Sequence, residues 1–283
     1  MTATPGNRFP SDAIVEPDSR PPSAPERELG DFTADRAMLW LAALAIPLGL
    51  VVTVLALGLL DLIGLVTHLA YTGRAGTSIS APDTSVLGWW SVLVPVAGGL
   101  VVGGMARFGS ERIRGHGIPE AMETILLRGS RMEPRLAVLK PISSAVSIGT
   151  GGPFGAEGPI IVTGGAVGSI LGQLLHLTAA ERRCLLVAGA AAGMTAVFGT
   201  PVAAVLLAVE LLLFEWRPRS MIPVALSACA AEALRETFAH HGLLRAAPLF
   251  PLVSHGEFPV SVALGGVVIG LACGALAWVM THC

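Results

Sequence analysis

The chain is poor in charge. Asp, Glu, Lys and Arg make up 13% of its 283 residues, against roughly a quarter in a soluble domain, so an ordinary soluble fold is excluded at the outset. Lysine is nearly missing, and Lys140 is the only one. The four cysteines, Cys184, Cys229, Cys273 and Cys283, form no Cys-x-x-Cys pair and no Cys/His spacing of metal-ligand type. They read as membrane-buried structural thiols rather than a metal or disulfide framework. No Gly-Lys-Ser/Thr follows the glycine-rich stretch at 149–165, which excludes a P-loop, and Phe154 stands where a dinucleotide fingerprint needs its third glycine. The apolar stretches hold no paired aspartates, no Ser/His pair and no histidine cluster at catalytic spacing. No enzymatic activity, cofactor, metal or nucleic-acid partner is expected.

What the chain has is apolar length. Hydrophobic residues make up 53% and mean hydropathy is +0.69. Uncharged runs at 37–60, 84–106, 158–180, 184–209 and from 258 onward are long enough to cross a hydrocarbon core of about 30 Å. The first run ends near Asp61. In the second, Gly98, Gly99, Gly103 and Gly104 point to close helix contact. Shorter apolar runs lie around 117–127, 136–148 and 220–231. The expected fold is all-α, a multi-pass membrane protein.

Charge asymmetry orients it. Arg107, Arg112, Arg114, Arg128, Arg131, Arg135 and Lys140 crowd 106–140, whereas 68–85 offers only Arg74. The positive-inside rule puts 106–140 and the N-terminus in the cytoplasm and 68–85 outside. The expected location is the inner cell membrane. Residues 1–35 are rich in Pro, Ser and charge and have no apolar period, which reads as a disordered tail. They do not have the form of a signal peptide. The membrane domain is expected over 36–283.

Two short segments break the pattern. GHGIPEAMETILL (115–127) is too short and polar to cross, and Gly117-Ile118-Pro119 fits a helix start with proline in the first turn. GTGGPFGAEGPIIVTGG (149–165) repeats the design. Glycines at 149, 151, 152 and 155 read as a flexible turn. Glu157-Gly158-Pro159 then begins a helix in which Gly164, Gly168 and Gly172 fall four apart, a stripe for tight packing. Glu157 is the only charged residue between Lys140 and Glu181. A helix start offers unpaired N–H groups and the positive end of the dipole to an anion. Two broken helices in one membrane protein point to an anion site near the midplane, and an intramembrane acid beside one of them is a functional residue by default.

GHGIPE (115–120), GAEGP (155–159) and FGTPVAAVLLAVE (198–210), in that order and with Lys140 before the second, resemble the motifs of the chloride channel (CLC) family of anion channels and anion/proton exchangers. The resemblance covers about 36–283. It implies tilted and broken helices arranged as the first of two inverted halves plus one further helix, in a homodimer with one anion pathway per subunit. It implies transport of chloride or another small anion, with protons as a second substrate in the exchangers. Glu157 matches the gating glutamate, which when ionised occupies an anion position. Positive helix ends favour the ionised acid and burial the neutral one, so proton and anion compete at one spot. Gly115, His116, Gly117, Ile118 and Pro119, with Gly155, Ala156, Gly158 and Pro159, match the anion-binding helix starts, and Lys140 is an auxiliary residue.

The chain departs from the pattern in three places. His116 replaces the usual serine, and it either donates a ring N–H to the anion or faces the cytoplasmic vestibule while backbone groups hold the ion. Leu211 stands where exchangers carry an internal proton-transfer glutamate, next to Glu210, which is expected to be a structural acid near the dimer interface. Glu215 takes the missing role only if the helix end shifts by about a turn. Third, the family's Gly-x-Phe-x-Pro motif and pore-lining tyrosine lie beyond Cys283, so the second half is expected to be missing. The competing expectation is a truncated, non-conducting remnant or an assembly subunit that dimerises through 198–238.

Overall fold

The computed structural model describes residues 36–79, 84–114, 117–242 and 260–282. It divides into two units, 1–243 and 244–283. Among the described residues every regular element is helical, as the sequence leads one to expect.

The first unit opens with α1 (Arg36–Thr72). This helix runs eleven residues past Asp61, where the uncharged run was expected to end. Asp61 is exposed, so its charge never enters the packed face and does not stop the helix; Gly73, at φ +65°, follows the last residue. A 3₁₀ turn (Gly88–Val92) leads into α2 (Leu93–Phe108). Of its four glycines only Gly98 meets a neighbour, the Thr150 side chain, whereas a methyl group on Gly99, Gly103 or Gly104 would touch nothing. The expected contact stripe is therefore a single contact, because the other three glycines fall where no described element lies.

Next come α3 (Ile118–Leu127), α4 (Pro134–Gly149), α5 (Glu157–Leu174) and α6 (Ala179–Phe198). The short α7 (Pro201–Ala208) continues into a π-helical turn (Val209–Leu213), and α8 (Pro218–His240) closes the unit. The run 184–209 is not one crossing helix. It breaks at Gly199, whose φ of +65° ends α6, and restarts at Pro201, where the missing N–H costs nothing.

The core is the α5–α6 pair. Ile160, Ile161, Val162, Leu185, Leu186 and Val187 are fully buried, so 160–166 and 184–197, the middle of the two apolar runs, lie in the protein interior instead of facing lipid. The glycine stripe explains how. Methyl groups on Gly164 and Gly168 would overlap the carbonyl oxygens of Gly189 and Leu185, and Gly172 packs on Arg182. Lipid is as apolar as leucine, so this near approach stabilises by van der Waals contact rather than by removal from water. At the head of α6, Thr178 and Glu181 form a reciprocal capping box, with Glu181 Oε2 accepting the Thr178 N–H at 2.9 Å.

The second unit is described by α9 (Val260–His282). Among the described residues three stretches are long and apolar enough to cross a membrane: Met38–Thr72, Gly88–Phe108 and Leu264–Thr281. Cys184 is buried within the protein, whereas Cys229 and Cys273 are exposed on α8 and α9, Cys273 within the apolar stretch Leu264–Thr281, and Cys283 lies outside the described residues.

Candidate anion site

Two helix starts meet within the first unit. Gly117 precedes α3 at φ +69° and ψ −98°, a sparsely populated conformation that costs a side chain on the order of 1–3 kcal/mol. A methyl group there would also overlap the Cα of Gly158, in the first turn of α5. Only glycine at 117 lets the two starts touch. Neither start is capped by a side chain. The first helical bonds run from the Ala121 N–H to Gly117 O (3.0 Å) and from the Ile160 N–H to Ala156 O (3.1 Å), which leaves the earlier amides without helical acceptors.

Beside this junction lies a cavity of about 360 Å³. Gly117, Gly155, Gly158 and Pro159 line it from the helix starts, Lys140, Ser143, Ser144 and Ser147 from α4, and Ile113, Arg114, Val102 and Phe154 from the flanks. Lys140 is 3% exposed. Its ammonium donates to Ile113 O at 3.0 Å and to Glu120 Oε2 at 2.9 Å, which ties α4 to α3 and to the turn before it. The other carboxylate oxygen, Glu120 Oε1, is buried without a hydrogen-bond partner among the described residues. The Ser143 hydroxyl donates to the Lys140 carbonyl at 3.0 Å. Ser144 and Ser147 are half-buried, and among the described residues no hydrogen bond commits their hydroxyls. Amides, two hydroxyls and cationic groups around one cavity make a donor set for a small anion.

Glu157 is elsewhere. It is the first residue of α5 and is exposed. It lines a second cavity of about 230 Å³ with Met194, Phe198, Thr200, Ala203, Ala204 and Leu207, on the side of α6 and α7. The acid and the lysine therefore line different cavities beside the same helix start. Ile118, Pro119 and Ala156 belong to the two starts but line neither cavity. Gly115 and His116 lie outside the described residues. Glu210 is exposed in the π-helical turn. Glu215 is committed: it accepts from Arg183 at 3.0 Å and from the Ser220 hydroxyl at 2.8 Å, and Arg217 lies 3.6 Å away. Those partners hold it between the heads of α6 and α8.

Sequence reasoning missed Ser143, Ser144, Ser147 and Arg114 as cavity residues. One signal was available, since Lys140, Ser144 and Ser147 are spaced i, i+4, i+7 and share one helix face.

The chain is similar to known proteins in sequence and in fold. A putative chloride channel protein, ClcB-like, of Ralstonia nicotianae is 30% identical over 63% of this chain and 43% of its own length. The H(+)/Cl(-) exchange transporter ClcA of Citrobacter koseri is 27% identical over 83% of this chain and 51% of its own. Among solved structures, a slow cyanobacterial Cl-/H+ antiporter superposes with a TM-score of 0.63 at 21% identity, covering 86% of this chain and 55% of that one. A CLC-type fluoride/proton antiporter gives 0.60 at 21% identity, covering 82% and 55%. The chain thus spans about half the length of these relatives, and it shares the antiporters' all-helical fold. The family profile described as voltage gated chloride channel matches residues 98–283, a stretch that holds both helix starts, Lys140 and Glu157, and by that match the chain belongs to the voltage-gated chloride channel family.

Proposed function

We propose that this protein carries chloride or a similar small anion across the inner cell membrane through a pathway in which Glu157 is the gate. The observation that carries the reading is the contact between Gly117 and Gly158. It aims two uncapped helix starts into one cavity that also holds Lys140. Gly117, Gly155, Gly158 and Pro159 present the anion-binding backbone, Lys140 supplies a fixed positive charge, and the Ser144 and Ser147 hydroxyls complete the shell. Glu157 competes with the anion when ionised and yields to it when protonated. The relatives include a chloride channel-type protein and a proton-coupled exchanger, so both passive conduction and proton exchange stay within the proposal. Leu211 in place of the exchangers' second acid, with Glu215 held by Arg183 and Ser220, favours conduction. The chain works as a homodimer with its N-terminus in the cytoplasm.

Reconstitution in liposomes, with and without a proton gradient, tests this. Anion efflux should appear and should change at least several-fold in Glu157→Gln and Glu157→Ala. Equal efflux in wild type and both variants would remove the gate from Glu157. A second reading has one observation in its favour: of the Gly88–Phe108 stretch only Gly98 and Ala106 are buried, and the remaining surface suits a subunit of a larger assembly. Absence of efflux from a folded, reconstituted chain would turn the assignment to that reading.

A further inference from the structure

Tyr71 is the only tyrosine in the chain, and it is 5% exposed. It stands in the last turn of α1, and its hydroxyl donates to the Thr150 carbonyl at 2.9 Å. Thr150 is the residue at which α4 ends and the turn toward Glu157 begins. Everything around it is close-packed. Gly149 lies against α1, where a methyl group would come within 2.7 Å of Val66 Cβ and 3.0 Å of Ile63 O. Gly98 of α2 lies against the Thr150 side chain. Gly151 sits at φ +92°, with its missing methyl position 2.5 Å from the Tyr71 hydroxyl oxygen. The Thr150 hydroxyl is turned inward, onto Val146 O at 2.7 Å. The grip stops further along the turn. Pro153, Phe154 and Gly155 are exposed, and a methyl group on Gly155 would meet nothing within 4 Å.

The turn that carries Glu157 is therefore clamped at its base and loose at its tip. We propose that Tyr71 is a positioning residue for the gate: its hydrogen bond to Thr150 pins the base of the turn to α1, so that movement of Glu157 is confined to the segment from Pro153 onward. The proposal rests on the reading of Glu157 as gate. It goes beyond that reading by naming a residue remote from the anion cavity that sets the gate's range. A tyrosine that only satisfied a buried carbonyl would affect stability alike whatever occupied position 157. A positioning tyrosine couples to Glu157.

The test uses the full chain in lipid, as wild type, Tyr71→Phe, Glu157→Gln and the double variant. Amide hydrogen exchange over 150–156 should speed up about fivefold in Tyr71→Phe, the factor one ordinary hydrogen bond confers, with exchange over 160–172 unchanged. Anion efflux should change about threefold or more between wild type and Tyr71→Phe, and by less than about 1.5-fold when the same substitution is made beside Glu157→Gln, since coupled residues are not additive. Unchanged exchange at 150–156, or the same efflux factor in both backgrounds, overturns the proposal. If Glu157→Gln alone leaves efflux unaltered, the gate reading fails instead, and the two failures are distinct. In a chain that shows no efflux, the exchange result decides. Should Tyr71→Phe fail to fold, Gly151→Ala, which presses on the tyrosine hydroxyl, must raise exchange at the amides of 150–156 or the clamp is refuted.

Discussion

Lys140→Met offers a direct measure of how the cavity is held together. The ammonium lies 2.9 Å from Glu120 Oε2, with side-chain exposures of 3% and 12%. At an effective dielectric constant of about 20 the pair attracts by about 6 kcal/mol, most of it offset by the cost of taking both ions out of water. Removing the lysine alone forfeits the attraction and leaves the carboxylate buried. Glu120 Oε1 has no hydrogen-bond partner among the described residues, and the Ile113 carbonyl loses a donor at the same stroke. The expected cost is about 3–5 kcal/mol. Adding Glu120→Gln removes the stranded charge, so the double variant should recover about 2 kcal/mol of that loss, a coupling of ordinary size for residues in contact. Denaturant unfolding in detergent, followed by tryptophan fluorescence, reads both figures. A double variant no more stable than Lys140→Met would refute the ion-pair argument, as would a cost below about 1 kcal/mol for Lys140→Met. Efflux separates the two duties of the lysine. The double variant should regain stability without regaining anion flux, because the cavity still lacks its buried positive charge.

Other perturbations follow from the same contacts. Gly168→Leu drives a side chain into the Leu185 carbonyl and should cost about 3 kcal/mol or more by forcing α5 and α6 apart, visible as loss of monodisperse protein in size-exclusion chromatography. Gly117→Ala combines a positive φ with overlap on Gly158 and should abolish efflux, whereas Gly155→Ala, with open space around it, should unfold within about 0.5 kcal/mol of wild type. Thr178→Ala removes the capping box of α6 and should lower stability by about 1 kcal/mol without altering anion preference. Ser144→Ala with Ser147→Ala takes two uncommitted hydroxyls from the cavity. It should shift the chloride-to-nitrate flux ratio while leaving the unfolding midpoint in place.

The helix starts were legible in the sequence because they are written locally. Gly117-Ile118-Pro119 and Glu157-Gly158-Pro159 mark breaks that need no knowledge of the rest of the chain, and both helices begin there. The fate of the long apolar runs was not legible. Hydropathy measures aversion to water, and lipid and protein interior satisfy it equally, so 158–180 looked like a lipid-facing span although Ile160 to Ala166 lie in the core. Glycine was ambiguous for a related reason. Gly149, Gly151 and Gly152 suggested a flexible turn, yet each is pressed against a neighbour and only Gly155 has open space. Absence of a side chain permits both freedom and close approach, and only the partner decides between them. Tyr71 gave no signal at all, since its acceptor is 79 residues away in the chain.

The division of the site into two cavities bears on how a gate of this kind must act. The amides of the two helix starts, Lys140 and the α4 hydroxyls gather around one cavity, and the acid lines the other. From where it stands, Glu157 does not occupy the space the anion would take. Under the proposed function, closing the pathway requires the carboxylate to cross from the α6–α7 side of the α5 start to the α4 side. Rotation of the side chain covers part of that path, and the backbone between Gly155 and Gly158 has to supply the rest. The packing suits such a movement: Gly158 is fixed by Gly117 and Thr150 by Tyr71, Phe154 is hydrogen-bonded only within the turn, to Gly152 O at 2.8 Å, and Gly155 has open space around it. The range of the gate is then a property of the turn's anchors as much as of the acid itself.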